Sequence, residues 1–138
     1  MTRTDRRPMK RKAETLATID KQCREIWSDC VIARDKVCRH TGDDRGLSAH
    51  HIRSVSHAST RFDLENGMAL SWTKVHFLQK VNPERFQDIV IDIIGAAEYE
   101  RLKAKSRIPL KRNIADYRDE RDRLTRLLKK IKSDWGKV

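Results

Sequence analysis

Apolar side chains recur at spacings of three and four along two long segments of the chain. The first segment carries them at Leu16, Ile19, Cys23, Ile26, Cys30 and Ala33. The second carries them at Ile114, Tyr117, Leu124, Leu128, Ile131 and Trp135, with Arg121 as a charged interruption. Such spacings put side chains on one face of an α-helix. The pattern predicts a helix over residues 10–34 and a C-terminal helix, with the two stripes packed on each other or on a second subunit.

Two short strands joined by a turn are predicted after the first helix. Residues 36–40 and 47–52 have the composition of strands, and the residues between them include two glycines and two aspartates. This hairpin places His50 and His51 at its end. Because successive side chains of a strand point to opposite faces, the two imidazoles are suited to different roles.

The remaining segments predict short helices around a single core. Residues 53–65 are predicted as a loop, Ser71 as the cap of a helix that runs to about Lys80, and Asn82-Pro83 as the start of another helix. Gly95 ends or bends that helix, which continues through residue 102. A chain of 138 residues is long enough for one modest domain. We therefore expect a single α+β domain, with a flexible basic arm (1–9), the first helix (10–34), a central α+β unit (35–82) and basic C-terminal helices (83–138).

Positive charge is concentrated at the two ends of the chain. The formal net charge is +11, with six basic and one acidic residue in 1–12 and fourteen basic and five acidic residues in 101–138. The segment between them carries eleven basic and fourteen acidic residues. Basic segments around a nearly neutral centre favour a nucleic-acid partner, because neutralised phosphates release counterions. The alternative is that these charges only solvate helix faces.

The length of the apolar runs and the spacing of the cysteines argue against some classes of protein. No run of eighteen apolar residues is present, and no apolar segment follows the basic start, so we expect a cytoplasmic protein that does not enter membranes. Cys23, Cys30 and Cys38 lack CxxC spacing, which favours reduced thiols over a disulfide framework or a zinc knuckle.

Three histidines and an asparagine make a candidate hydrolytic site. They are His50, His51, Asn66 and His76. One imidazole can bind a divalent metal while another takes a proton from water near neutral pH. Phosphodiester hydrolysis needs both functions, since water must be activated and negative charge on the phosphorane stabilised.

The same residues belong to ordered motifs. Between Asp35 and Phe86 the chain carries V-C-R-H-T-G, L-S-A-H-H-I, T-R-F-D-L-E-N-G-M-A-L, V-H-F and N-P-E-R-F. This segment resembles the HNH endonucleases common in bacteriophages, whose fold is the ββα-metal or His-Me finger. The loop over residues 53–62 and the motif D-Y-R-D-E-R-D-R-L resemble, more loosely, the Rap (NinG-like) recombination nucleases of lambdoid phages.

The resemblance implies a small ββα-metal finger over residues 35–82, flanked by helices, that hydrolyses DNA during phage recombination or processing. It implies that His51 is the general base, that Asn66 orients the loop and the base, and that His50 and His76 bind one divalent ion. Magnesium, manganese, nickel and zinc all suit such a site. The residues expected to contact DNA, duplex or branched, are Arg53, Arg61 and Lys80.

Two features differ from the HNH pattern. Lys80 stands where many relatives have a further histidine, and a charged lysine cannot bind a metal, although it can hold a phosphate. The paired cysteines of a structural zinc site are reduced to Cys38, so structural zinc is not expected. Trp72 and Val75 are predicted to fill that volume, and Phe77 is also predicted to be a core residue.

Other interpretations of the same residues stay open. Arg61 could form a surface ion pair with Asp63 or Glu65, and Asn66 could only cap the turn before Gly67. The whole protein could be a catalytically weak or inactive DNA-binding finger, or a helical dimerisation protein. The sequence does not distinguish DNA from RNA, or linear from branched substrates.

Overall fold

The computed structural model describes residues 14–73 and 75–135, without the side chain of His76. Over these residues the chain is α+β, with five α-helices and a two-stranded antiparallel sheet, which confirms the predicted class. The elements are α1 (Leu16–Asp35), β1 (Leu47–His51), a 3₁₀ turn (Leu64–Asn66), β2 (Gly67–Ser71), α2 (His76–Val81), α3 (Pro83–Ile94), α4 (Ala96–Ser106) and α5 (Ile114–Asp134). The predicted basic arm lies outside the described residues. Within the described ranges, no helix is long and apolar enough to cross a membrane.

Helices α1 and α5 pack against each other along their apolar stripes. Leu124 of α5 is fully buried in a cluster with Cys23 and Trp27 of α1. The thiols of Cys23 and Cys30 donate hydrogen bonds to backbone carbonyls of α5, each with a sulfur–oxygen distance of 3.4 Å. Burial raises the pKa of both thiols to about 11, so they remain protonated donors at neutral pH. The part of the α5 stripe around Leu124 is therefore covered by α1 of the same chain.

The hairpin differs from the predicted one, because β1 pairs with β2 rather than with residues 36–40. Leu47 lies opposite Ser71, and His51 lies opposite Gly67. Residues 36–40 form the end of α1 and a turn instead. Lys36 adopts a left-handed conformation (φ 65°) and its N–H donates to the carbonyl of Ile32, which ends the helix. The prediction of a strand over residues 36–40 is wrong, and the true second strand follows the long loop.

The sheet is buried on both faces, because α1 covers one face and α3 covers the other. Met68 and Leu70 of β2 belong to a cluster with Phe86 and Val90 of α3. Ala49 of β1 packs instead against the cluster around Trp27. All five residues of β2 are buried. A strand covered on both faces shows no alternation of polar and apolar residues, and this explains why the sequence pattern did not predict β2.

The short helices begin and end at capping residues. The side chain of Asn82 accepts a hydrogen bond from the N–H of Arg85 (3.2 Å), and Pro83 is the first residue of α3, as predicted. Gly95, with φ 89°, separates α3 from α4, which runs to Ser106 instead of residue 102. Ser71 is the last residue of β2 and does not cap α2, contrary to the prediction.

Gly67 fits closely against Trp27 in α1. A Cβ atom at this position would lie 2.5 Å from Cζ2 of Trp27 and 2.8 Å from Cγ2 of Val31. We expect Gly67→Ala to lower the free energy of unfolding by about 1–3 kcal/mol, because β2 or the indole ring must move. Urea denaturation followed by circular dichroism measures this change. Trp27→Phe removes the part of the ring that contains Cζ2, so Gly67→Ala should cost less in that background than in the wild type; an equal loss of stability in the two backgrounds would contradict the explanation from packing.

Candidate functional site

His51 is the last residue of β1, and its ring stacks on the buried indole of Trp27. The two ring centroids are 3.8 Å apart and the rings are nearly parallel, at 9°. Trp27 is itself fixed, because its Nε1–H donates to the carbonyl of Asp63 (3.0 Å) and Gly67 packs against its ring. The imidazole of His51 therefore has a rigid support on one face.

One hydrogen bond determines which nitrogen of His51 carries the hydrogen. Nε2 lies 3.0 Å from the backbone carbonyl oxygen of Arg61. A carbonyl oxygen can only accept a hydrogen bond, so Nε2 must be the protonated nitrogen of the neutral ring. Nδ1 then has a lone pair, and a general base needs such a lone pair to accept a proton.

Burial also favours the neutral form of His51. It lowers the pKa of the imidazole below the ordinary value of 6.5, and the positive charges of Arg61 and Arg24 act in the same direction. The hydrogen bond to the Arg61 carbonyl opposes this shift. Since the net effect is a lowered pKa, His51 is neutral and able to accept a proton at pH 7.

His50 points to the other face of the sheet, toward α3. Its ring centroid lies 6.1 Å from that of Phe86, and its Nε2 lies 3.1 Å from Oγ of Ser48. The residue is 8% exposed. The two adjacent histidines thus have different environments, as the alternation of strand side chains requires. Both nevertheless line one open cleft of about 540 Å³, together with Trp72 and Gln79.

Asn66 is fully buried and ties together the two ends of the loop that follows His51. Its Oδ1 accepts the N–H of Arg53 (2.7 Å), and its Nδ2 donates to the carbonyls of Arg53 and Thr60, both at 3.1 Å. Because it is 0% exposed, Asn66 reaches neither solvent nor the cleft. The side chain of Asn66 therefore orients the loop through its hydrogen bonds to the backbone of Arg53 and Thr60.

The guanidinium of Arg61 is occupied by an aspartate of α1. Its Nε and Nη2 donate to the two carboxylate oxygens of Asp20 at 2.9 and 2.7 Å, and its Nη1 donates to the carbonyl of Val55 (2.6 Å). The ion-pair partner of Arg61 is therefore Asp20. The interpretation of the sequence that paired Arg61 with Asp63 or Glu65 is wrong. This bidentate pair fixes the backbone carbonyl that receives the hydrogen bond of His51. A phosphate contact by Arg61, which stays a prediction, would require the pair to open.

Arg53 follows β1 by two residues, and its side chain has only neutral partners among the described residues. Its Nε donates to Oγ of Ser106 (3.2 Å) and its Nη1 to Oη of Tyr99 (3.4 Å). Gln87 also donates to Oη of Tyr99, at 3.1 Å. A phenolic oxygen accepts two hydrogen bonds and donates one, so the hydroxyl hydrogen of Tyr99 is left to donate to another group. Tyr99, Gln87 and His51 line one concave region of about 210 Å³.

Helix α2 contributes to the lining of the cleft. Gln79 of this helix lines the cleft, and Lys80 after it is exposed. His76 is the first residue of α2, but its side chain lies outside the described part of the structure. Positions 76 and 79 are three apart and so share a helix face. The backbone therefore puts position 76 on the face of α2 that contains Gln79.

The predicted metal ligands are described only in part. Among the described side chains, no three of His, Cys, Asp and Glu gather closely enough to hold a metal ion. His50 is the one predicted ligand within that description, and an imidazole is a suitable donor for zinc, nickel or manganese. The described side chains therefore supply one of the predicted metal ligands, His50.

Several supporting residues were not recognised in the sequence. Nη1 and Nη2 of Arg34 donate to the carbonyls of Leu64 and Gly67, both at 2.7 Å, and Oδ2 of Asp35 accepts the N–H of Ala69 (2.8 Å). The C-terminal end of α1 thereby holds the start of β2. Adjacent charged residues at the end of a helix gave no signal for this role, because their partners lie about thirty residues later in the chain.

No family model, no curated protein and no solved structure matches the chain.

Proposed function

We propose that this protein is a metal-dependent DNA endonuclease with an HNH-type ββα-metal finger, acting in phage DNA recombination or processing. The observation that carries the proposal is His51, a neutral imidazole whose Nε2–H is held by a carbonyl and whose ring is supported by Trp27. The order of strand, strand and short helix over β1, β2 and α2 supports the finger assignment. The N-terminal part of the proposed finger is a turn instead of a strand.

The hydrolytic step follows from the chemistry of His51. Nδ1 takes a proton from water, the resulting hydroxide attacks phosphorus, and the bond from phosphorus to the leaving oxygen breaks as that oxygen takes a proton from a second water. His51 then holds the proton as an imidazolium and returns it to solvent. General-base catalysis of this kind contributes about 10²–10⁴ to a rate.

A divalent ion would be held by His50 and His76 in this proposal. When bound, such an ion stabilises the negative charge that develops on the phosphate and the leaving oxygen. Ser48, at 3.1 Å from Nε2 of His50, would orient the imidazole. Metal ligands commonly have such a hydrogen-bonded neighbour, which fixes the ring.

Positive and polar groups around the cleft would hold the DNA strand. Lys80 is exposed on α2, and Arg53 and the hydroxyl of Tyr99 adjoin the concave region next to His51. Arg126, Lys129 and Lys130 on α5 are also exposed. These cations would add to the affinity of the protein for the phosphate backbone.

Cleavage of supercoiled plasmid and of a synthetic four-way junction tests the proposal. We expect nicking or linearisation with at least one of magnesium, manganese, nickel and zinc, and none in EDTA. Gel electrophoresis of time courses gives the rate with each metal. If no metal supports cutting of either substrate above the EDTA control, the endonuclease proposal is wrong.

A second candidate is a DNA-binding finger without hydrolytic activity. The observation that favours it is the set of exposed cations on α5. This alternative predicts salt-dependent binding of DNA in gel-shift assays without cleavage under any metal.

A further inference from the structure

Arg112 is a half-buried arginine whose partners among the described residues are all neutral. It lies between α4 and α5, and its Nη1 donates to the carbonyl of Ala58 (2.7 Å). Its guanidinium carbon lies 4.9 Å from the centroid of the Phe62 ring. A guanidinium has several further N–H donors, and these have no acceptor within the described part of the chain. Because a partly buried charge is costly without a counter-ion, Arg112 is suited to pair with an anion.

The basic residues on one side of Arg112 are already paired with carboxylates. Arg112 lines a concave region of about 210 Å³ together with Lys105 and Arg123. Nζ of Lys105 lies 2.7 Å from a carboxylate oxygen of Asp63, and Nη2 of Arg123 lies 2.6 Å from one of Glu120. In this region, the protein therefore balances the charges of Lys105 and Arg123 itself.

A second cleft, of about 260 Å³, is lined by Arg112, Lys111 and Arg61. No described carboxylate lines it. Arg61 is paired with Asp20, which lies outside the lining, at 2.7 Å. Lys111 is exposed and has no ion pair with a carboxylate of the described ranges. The charge of Arg61 is therefore balanced by Asp20, and the charges of Lys111 and Arg112 are left for a ligand.

This second cleft lies between two segments that are bonded to each other, the loop after β1 and the segment before α5. The hydroxyl of Ser59 donates to the carbonyl of Ile108, and Nη1 of Arg61 donates to the carbonyl of Val55 (2.6 Å). The same loop presents the carbonyl of Arg61 to Nε2 of His51 (3.0 Å). A ligand in the cleft would therefore contact the loop that holds the proposed base.

We propose that Lys111 and Arg112 bind a backbone phosphate of DNA in this cleft. The inference rests on the proposed function, which makes DNA the partner, and neither residue is among those that the sequence predicted to contact DNA. A guanidinium presents paired N–H groups to phosphate oxygens, and an ammonium adds a point charge. Val55 and Leu110, which are 40% and 49% exposed, also line the cleft. A DNA strand offers both a phosphate for the cations and the apolar face of a sugar for these side chains.

The salt dependence of DNA binding in EDTA tests this inference without requiring cleavage. Fluorescence anisotropy gives the Kd for a labelled duplex between about 50 and 200 mM salt. We expect the double variant Lys111→Gln, Arg112→Gln to bind about tenfold more weakly at about 0.1 M salt. The slope of log Kd against log salt should decrease by about one, because one phosphate contact is lost. Arg112→Lys should retain most of the affinity, since it keeps the charge.

The double variant Lys21→Gln, Lys132→Gln is the matched control. It removes the same charge from two exposed residues that do not line the cleft, and it should change the Kd by less than about twofold. Lys111→Glu is a variant that leaves the contacts of Arg112 with the loop in place, and it should weaken binding more than Lys21→Glu does. Equal weakening by the two double variants, or by the two glutamate variants, overturns the proposal.

Two competitors at constant ionic strength identify what the cleft binds. Inorganic phosphate and poly-glutamate are each added to the wild type and to the variant Lys111→Gln, Arg112→Gln. We expect neither to displace DNA from the wild type more than from the variant. Selective displacement by phosphate would identify a site for the free ion, and selective displacement by poly-glutamate a site for an acidic protein; either result overturns DNA as the ligand. Each of these outcomes leaves the endonuclease proposal standing if metal-dependent cutting of plasmid persists.

Discussion

Replacing His51 by alanine is expected to lower the rate of metal-dependent DNA cleavage about 10²–10⁴-fold. The imidazole of His51 is neutral, is supported by the ring of Trp27 and lines the cleft. These properties suit a group that takes a proton from water. Initial rates of plasmid nicking, with the metal that best supports the wild type, measure the effect. A variant that retains more than a tenth of the wild-type rate would show that another group activates the water.

Two further variants separate catalysis from folding in this experiment. The side chain of His51 covers the indole of Trp27, so its removal can also disturb the core. His51→Gln keeps an Nε2–H that can donate to the Arg61 carbonyl, but an amide cannot take the proton. It should fold with a melting temperature close to that of the wild type and lose activity as His51→Ala does. His40→Ala, at an exposed turn residue, is the control for loss of an imidazole elsewhere and should cut DNA at the wild-type rate.

Replacing Asn66 by aspartate is expected to destabilise the protein by about 3 kcal/mol or more at pH 8. The exchange keeps the size of the side chain and the acceptor for the Arg53 N–H. It replaces the amide that donates to two carbonyls with a carboxylate oxygen, which repels both of them in a site without solvent. Chemical denaturation of the two proteins gives the difference in the free energy of unfolding.

The pH dependence of this difference identifies its cause. A buried carboxylate has a raised pKa, and its protonated form can donate one hydrogen bond again. The destabilisation by Asn66→Asp should therefore decrease as the pH falls from 8 to 5. Asn82→Asp is the matched control: Asn82 caps α3 at the surface, where aspartate caps equally well. A loss that is the same in both variants, or independent of pH, would rule out repulsion at the buried site.

Helical periodicity predicted the parts of the fold that have one buried face. The stripes of α1 and α5 were recognised because a helix with one solvent-exposed face must repeat its apolar positions every three to four residues. Asn82-Pro83 was recognised because a capping residue followed by proline is a local signal. In each of these cases, the physical cause of the structure lies within a few neighbouring residues.

The wrong predictions concern parts of the structure that depend on residues distant in sequence. Residues 67–71 showed no strand pattern because helices cover both faces of β2. The strand predicted at residues 36–40 is a turn that Lys36 starts in a left-handed conformation, which sequence propensity does not favour for lysine. For the candidate site, the histidines and Asn66 were selected from the sequence, but the support by Trp27 and the pairing of Arg61 with Asp20 were not. Those partners are 24 and 41 residues apart in sequence, respectively, and only the packing of α1 on the loop brings them together.

The docking of α5 on α1 has a consequence for when the site can form during protein synthesis. The cluster that holds Trp27 includes Leu124 and Phe62, and Arg123 donates to the carbonyl of Phe62 (3.1 Å). A nascent chain that has emerged only as far as α4 contains every histidine of the site but lacks one side of the core beneath His51. The ring of Trp27 then has its contacts with Asp63 and Gly67 but lacks the cover of Leu124, so the imidazole that rests on it is held less firmly. The core beneath His51 is therefore complete only after α5 has been synthesised, which makes the support of this imidazole one of the last parts of the described structure to form.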